Sequence, residues 1–252
     1  MLREKRRRQI YEMLMEDGEV QTSQLCRKFQ VSDMTIRRDL EYLAGGKNVS
    51  RTHGGAVFLG QAKEDMEFKG ATEQAKEMIA RKAFELIGAT QRIFIDSGTT
   101  TTLLAKNLPM GSRNIVVTNN LKIVDQVSDR PYISVLIIGG SLRIQTLSCY
   151  GAQTEEQIGR YRVDIAFLGA TTVGEDGYFY DGYPPEAGVK QSIIKSAMET
   201  YVLVDSSKFN QYSLISYSHI KDVTGVITDS NISPETKERL QKMGANLIVA
   251  DL

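Results

Sequence analysis

Apolar positions recur along this chain with two different periods. Near the amino end the spacing is helical: Ile10, Met13 and Leu14 form a stripe that stops at Gly18. Leu25 and Phe29 then share a face four residues apart, with Thr22 placed to cap that second helix. Ser32 is placed to cap a third, because a serine hydroxyl accepts bonds from the free N–H groups of a first turn. In that third helix Ile36, Leu40 and Leu43 fall on one side, and Met34, Arg37, Arg38 and Glu41 fall on the other. The following run, NVSRTHGGAVFL, alternates polar and apolar residues about Gly54–Gly55 and predicts a short hairpin. Three short helices and a hairpin describe a winged helix-turn-helix over residues 1–57, whose third helix suits the major groove.

The pattern lapses over residues 58–72, a polar stretch without sustained period that predicts a linker. A helix over 73–87 follows, with Met78, Ile79, Ala83, Leu86 and Ile87 as its buried stripe. Beyond it continuous apolar runs such as RIFID, NIVVTNN, VDIAFLGA, YVLVDSS, TGVITD and NLIVA alternate with amphipathic ones such as LKIVDQV, TEEQIGRY and SPETKERLQKM. Continuous apolar strands separated by helices predict a mostly parallel sheet covered on both faces, so residues 73–252 form an α/β domain.

Composition changes this picture little. The 252 residues, 41% hydrophobic and 25% charged, fit one large or two ordinary globular domains. Basic and acidic residues balance at 31 each, but residues 1–60 carry 11 Lys/Arg against 8 Asp/Glu. A basic amino-terminal part hints at nucleic acid. No apolar run reaches the roughly 18–20 residues that a membrane helix needs, and acidic residues interrupt any secretion signal after MLREKRRRQI. Cys26, Cys149, His53 and His219 are too few and too scattered for a disulfide framework or a metal centre. A cytoplasmic protein without cofactor or metal, and without a membrane partner, is expected.

Chemistry concentrates in two places. On the third helix, Arg37 and Arg38 can donate to phosphates or, bidentately, to guanine. Asp39, badly placed for DNA, is expected to hold an arginine or a backbone group. Solvated i,i+4 ion pairs are the plainer use of such arginines. Candidate DNA contacts are Thr22, Ser32, Met34, Thr35, Arg37 and Arg38. Arg51 and His53 join them from the wing, where His53 also fits an ordinary turn residue.

In the α/β part, ligands are expected beyond the carboxyl ends of the strands. IDSGTTT ends a strand at Asp96; Ser97 and Gly98 turn, and Thr99, Thr100 and Thr101 open a helix. A helix start offers free N–H groups to an anion, although Asp96 or Ser97 acting merely as a cap fits equally well. Thr118, Asn119 and Asn120 lie on a neighbouring loop, where amides can read sugar hydroxyls. Gly139 and Gly140 permit close approach, and Arg143 and Lys208 can supply cations for phosphate. Glu186 and Lys190, four residues apart, fit either a surface ion pair or a ligand contact.

TSQLCRKFQVSDMTIRRDLEYL followed by SRTHGGAV resembles the winged helix of the DeoR family of bacterial sugar-metabolism repressors. The resemblance continues through IFIDSGTTT, VVTNN, DIAFLGATTV, EAGVK and VLVDSSKF, and so covers nearly the whole chain. It implies a sensor domain related in fold to phosphopentose isomerases and coenzyme A transferases. It also implies a repressor of a sugar or polyol utilisation operon, released from its operator by a phosphorylated sugar-like effector. At least a dimer, a homo-oligomer that can be a tetramer, is expected on repeated half-sites. Two departures stand out: AGGKNV lies where the family often has a charged helical stretch, and Ser206 stands where it often has histidine. The competing reading is a sugar-phosphate isomerase or transferase with a DNA-binding head, using Glu186 as base and Lys208 as electrostatic stabiliser. It lacks a second carboxylate or nucleophile at readable spacing.

Overall fold

The computed structural model describes residues 6–7, 9–11, 13–14, 19–44, 49–52, 54–58 and 64–251. The chain divides into two units, Met1–Ala71 and Thr72–Leu252.

In the first unit, helix α1 is described within residues 6–14. Strand β1 (Glu19–Gln21), α2 (Thr22–Phe29), α3 (Asp33–Ala44), β2 (Val49–Arg51) and β3 (Gly55–Phe58) follow. The strands form an antiparallel sheet in the order β1-β3-β2. β1 bears only one buried side chain, Val20, so periodicity gives no sign of it. Ile10, Leu14, Val20, Leu25, Ile36, Leu40, Val49 and Ala56 make the core, so the helical stripes point where their spacing requires. Gly55 is not a turn residue but the start of β3, where a Cβ would stand 1.9 Å from the Val20 carbonyl oxygen. Only glycine lets the two strands come this close.

Two expected caps are corrected. α2 begins at Thr22 itself, after Gln21, and no side chain caps it; the Thr22 amide donates to the Gly54 carbonyl instead. Ser32 precedes α3, but its hydroxyl meets the Thr35 hydroxyl at 2.9 Å, and its carbonyl accepts from the Thr35 and Ile36 amides.

The helix expected from residue 73 begins earlier. α4 spans Glu64–Phe84, so much of the stretch read as linker is helical. Residues 64–72 include the good helix formers Glu64, Met66, Glu67, Lys69 and Ala71 but carry no apolar stripe, so periodicity gives no sign of helix there. The second unit continues with β4 (Arg92–Ile95), α5 (Thr99–Lys106), β5 (Ile115–Thr118), α6 (Leu121–Val127), β6 (Ser134–Ile137), β7 (Ser141–Arg143) and β8 (Ser148–Tyr150). Next come α7 (Ala152–Gly159), β9 (Val163–Gly169), β10 (Thr172–Val173), β11 (Tyr178–Asp181), α8 (Pro184–Ser196) and β12 (Ala197–Leu203). β13 (Ile215–His219), β14 (Gly225–Asp229), α9 (Pro234–Lys242) and β15 (Leu247–Ala250) close it.

Seven strands form one parallel sheet in the order β15-β14-β12-β9-β4-β5-β6. Alternate side chains enter opposite cores, as a strand's two-residue period demands. Ile93, Ile95, Val116, Ile165, Phe167 and Leu203 pack with α4, α5 and α6. Phe94, Val117, Ala166, Leu168, Val202 and Val226 pack with α7, α8 and α9. β10, β11 and β13 make a small antiparallel sheet, and β7 with β8 a hairpin, neither of them anticipated. Among the described residues, no helix is long and apolar enough to cross a membrane.

Candidate effector cleft and DNA-facing helix

Strand order reverses between β4 and β9. From β4 the chain proceeds through β5 to β6 on one side, and from β9 through β12 and β14 to β15 on the other. Loops leaving two such strands diverge and open a crevice at their carboxyl ends. A cleft of about 930 Å³ lies there. The Asp96 amide donates to the Phe167 carbonyl at 3.0 Å, tying the loop after β4 to β9.

That loop, Ser97–Gly98, and the first turn of α5 form one wall. Thr101 and Thr102 turn their hydroxyls back onto the Gly98 carbonyl, at 3.0 and 2.6 Å. No side chain caps the helix, so neither Asp96 nor Ser97 is the cap. The free N–H groups at its start therefore face the cleft, as do the Thr99 and Thr100 hydroxyls, which have no partner among the described residues. This end carries the positive pole of the helix dipole. Lys208, in the 3-10 turn after β12, lines the cleft and makes no ion pair among the described residues.

The floor is a buried ion-pair cluster. Lys190 reaches from α8 to Asp96 at 2.6 Å, with Asp181 at 3.6 Å and the Tyr217 ring centre at 5.6 Å. The Lys190 and Asp96 side chains are only 4% and 2% exposed. Burial works against a lysine charge, but the Asp96 carboxylate outweighs it and holds the Lys190 ammonium above the ordinary lysine range. Tyr217 donates to the Gly169 carbonyl, which joins the small sheet to the end of β9.

Glu186, one turn before Lys190 on α8, does not pair with it. Its Oε1 lies 3.3 Å from the Arg143 guanidinium and accepts from Ser148 at 3.0 Å. Arg143 also stacks 4.3 Å over the Tyr183 ring. The i,i+4 pair expected from spacing is thus replaced by two pairs to distant parts of the chain. Arg143 neutralises Glu186 and is not among the residues lining the cleft.

Of the other candidates, Asn120 lines the cleft; its Oδ1 accepts from the Lys122 amide and its Nδ2 donates to the Thr146 carbonyl. Thr118 and Asn119 are buried in the scaffold instead. Thr118 donates to the Ile95 carbonyl, and Asn119 to the Cys149 carbonyl, while the Asn119 Oδ1 has no partner among the described residues. Gly139 gives its carbonyl to Thr154. A Cβ on Gly140, whose φ is 149°, would stand 2.0 Å from the Thr154 hydroxyl. Both glycines serve contact with α7. Ser206 donates through its amide and hydroxyl to Asp229, so this position faces a buried carboxylate. The cleft also takes in Lys76 and Glu73 from α4, Asp181 from β11 and Thr146 from the β7–β8 turn. Sequence reasoning missed these four. Asp181 closes YFYD, an unrecognised strand, and Glu73 and Lys76 are polar residues in the first turn of the helix expected from residue 73, where only the apolar positions drew attention.

In the first unit, α3 presents Met34, Arg37 and Arg38 to solvent and turns Ile36 and Leu40 inward. Arg37 pairs with Asp33, one turn earlier. Arg38 makes no hydrogen bond or ion pair among the described residues. Asp39 is buried and accepts from Arg6 at 2.6 Å and Arg7 at 2.8 Å, fixing α3 to α1. The Arg7 guanidinium also covers the Tyr42 ring at 3.8 Å. Arg51 of β2 stands 4.0 Å from Glu41. His53 and the residues 45–48 lie outside the described residues.

A winged helix-turn-helix with an arginine-bearing recognition helix, and a parallel α/β domain with a polar cleft at its switch point, together define a ligand-responsive regulator of transcription. The chain belongs to the DeoR family: residues 6–62 match the DeoR-like helix-turn-helix domain and residues 71–230 the DeoR C terminal sensor domain. The glycerol-3-phosphate regulon repressor of Escherichia coli K12 is 32% identical over 223 residues, 88% of each chain. The lactose phosphotransferase system repressor of Lactococcus lactis is 32% identical over 249 residues, 96% of this chain and 97% of its own. Among solved structures, ribose 5-phosphate isomerase A of Methanocaldococcus jannaschii is similar over 54% of each chain, at 22% identity and a TM-score of 0.40.

Proposed function

We propose that this regulator represses a sugar or polyol utilisation operon and leaves its operator when a phosphorylated sugar-like metabolite fills the cleft. The observation that carries the effector half is the uncapped start of α5, open to the cleft beside the unpaired Thr99 and Thr100 hydroxyls. Free N–H groups, neutral hydroxyl donors and the Lys208 cation suit a phosphate. Asn120, Asp181 and Glu186 offer the acceptors and amide that sugar hydroxyls use. Lys190 lines the cleft from its floor, where Asp96 holds it. For the DNA half, α3 enters the major groove, with Arg38 as the available cation, Arg37 restrained by Asp33, and Arg51 reaching the backbone. A homodimer or larger assembly presents two such helices to repeated half-sites, as a soluble cytoplasmic protein.

Release requires that the ligand prefer the sensor geometry that fits the operator badly, because a ligand shifts an equilibrium only by its differential affinity. A thermal-shift screen over sugars and polyols, each with and without phosphate, tests the cleft assignment. A ligand at about a hundred times its Kd stabilises the native state by about 2.7 kcal/mol. The phosphorylated member of one pair is expected to raise the melting temperature while its parent does not. Equal shifts from both members would remove phosphate from the reading.

A further inference from the structure

We infer that Met34 reads the C5-methyl group of a thymine in the operator, between an Arg38 that is free to contact a base and an Arg37 that is held for the backbone. The inference rests on the DNA-binding reading above and assigns the division of labour along α3. Met34 is 60% exposed, whereas the core-facing residues of the same helix, Ile36 and Leu40, are at most 1% exposed. Its side chain therefore has no work to do in the core. It lies in the first turn of α3, the part of a recognition helix that meets base edges. At about 100° per residue it falls between Arg37 and Arg38 on the helix surface, flanked by a cation on each side.

The two arginines differ. Arg37 pairs through Nε with Asp33 in an exposed i,i+4 contact, which partly neutralises it and occupies one of its donors. Such an arginine suits a positioning contact. Arg38 makes no ion pair or hydrogen bond among the described residues, so its full donor fork remains for a guanine edge. Met34 offers no hydrogen-bond donor and only a weak acceptor, so it cannot read the polar pattern of the groove. The apolar feature that the major groove displays is the thymine methyl. An unbranched, polarisable side chain adapts to such a small target. A protein partner would be an alternative occupant for an exposed methionine, but the flanking guanidinium groups favour a polyanion.

The test replaces thymine by uracil, which removes the methyl and nothing else. The full-length protein first selects its preferred duplex from a random-sequence pool. Each thymine of a half-site is then replaced in turn, and affinities are measured for the wild type, Met34→Ala, Met34→Gln and Met34→Leu. One position is expected to cost the wild type about fourfold, the worth of burying one methyl-sized group. Met34→Ala and Met34→Gln lose a similar factor on the thymine duplex and no longer distinguish uracil there. Met34→Leu retains part of the discrimination. The salt dependence stays unchanged in all three variants, since no counterion is displaced, whereas Arg37→Ala, which removes the backbone contact, flattens it by about one ion. A uniform loss on thymine and uracil duplexes would make Met34 a structural residue and overturn the assignment. So would the absence of any thymine whose replacement couples to Met34. Failure to select any duplex would instead overturn the DNA-binding reading itself.

Discussion

Replacing Lys190 by methionine isolates what the cleft floor contributes. The side chains of Lys190, Asp96 and Asp181 are 4%, 2% and 8% exposed or less, so solvent screens their interactions little. Lys190→Met keeps most of the side-chain length but leaves two buried carboxylates without their cation. Breaking one partner of a buried pair costs about 3–5 kcal/mol, because the other charge remains desolvated. The loss depends on pH with a definite sign. In the wild type the Lys190 pKa is raised on folding, so its stabilisation is complete below the unfolded lysine value of about 10.4 and fades only as pH rises through the folded one. Between pH 5 and 8 the wild type therefore gains or loses nothing from this lysine. In the wild type burial already lifts the folded pKa of Asp96 above the unfolded value of about 3.9 despite the lysine's opposing pull, and in the variant, without that pull, it rises further. Stability from such a group is present at low pH and is lost as pH rises. The deficit of Lys190→Met should then be largest at pH 8 and shrink towards pH 5. Urea unfolding of the full chain, followed by circular dichroism at both pH values, measures it. The double variant Lys190→Met/Asp96→Asn should recover part of the loss. A deficit below about 1 kcal/mol at both pH values would refute the reasoning.

Asp39→Ala strands Arg6 and Arg7 and frees α3 from α1. Loss of about 3 kcal/mol or more is expected in the first unit, with weakened operator binding, as read by calorimetry and mobility shift; an unchanged transition would deny the anchor. Thr100→Val removes a cleft hydroxyl at nearly constant volume and should weaken a phosphorylated effector roughly tenfold, by titration calorimetry, with little change in stability. Lys208→Met should weaken it at least as much, and the wild-type affinity alone should fall steeply with salt.

How much of this was legible follows the range of the interactions. The outer face of α3 could be read because Met34, Arg37 and Arg38 are separated from Ile36 and Leu40 by helical spacing alone. The loop after β4 could be read because strand end, glycine and threonines are contiguous. The partners of these residues could not. Asp39 meets Arg6 across 33 positions, and Lys190 meets Asp96 across 94, so no local pattern links them. Local reading instead suggested Glu186 with Lys190, and tertiary packing sent each to a different carboxylate or cation. Gly139 and Gly140 looked like room for a ligand, but the room is filled by Thr154 of α7. β10 escaped because two residues, Thr172–Val173, are too few to show alternation, and YFYD of β11 shows none, so Asp181 went with them; ISYSH of β13 does alternate and could have been read.

The central claim is that occupancy of the sensor cleft governs the grip of α3 on DNA. Its most direct test is the affinity of the full-length protein for its selected operator duplex, titrated with the phosphorylated ligand that raises its melting temperature. Operator affinity is expected to fall at least tenfold at saturation, and by linkage the ligand should bind correspondingly more weakly to the DNA-bound protein. Operator affinity unchanged at ligand concentrations that fill the cleft would contradict it.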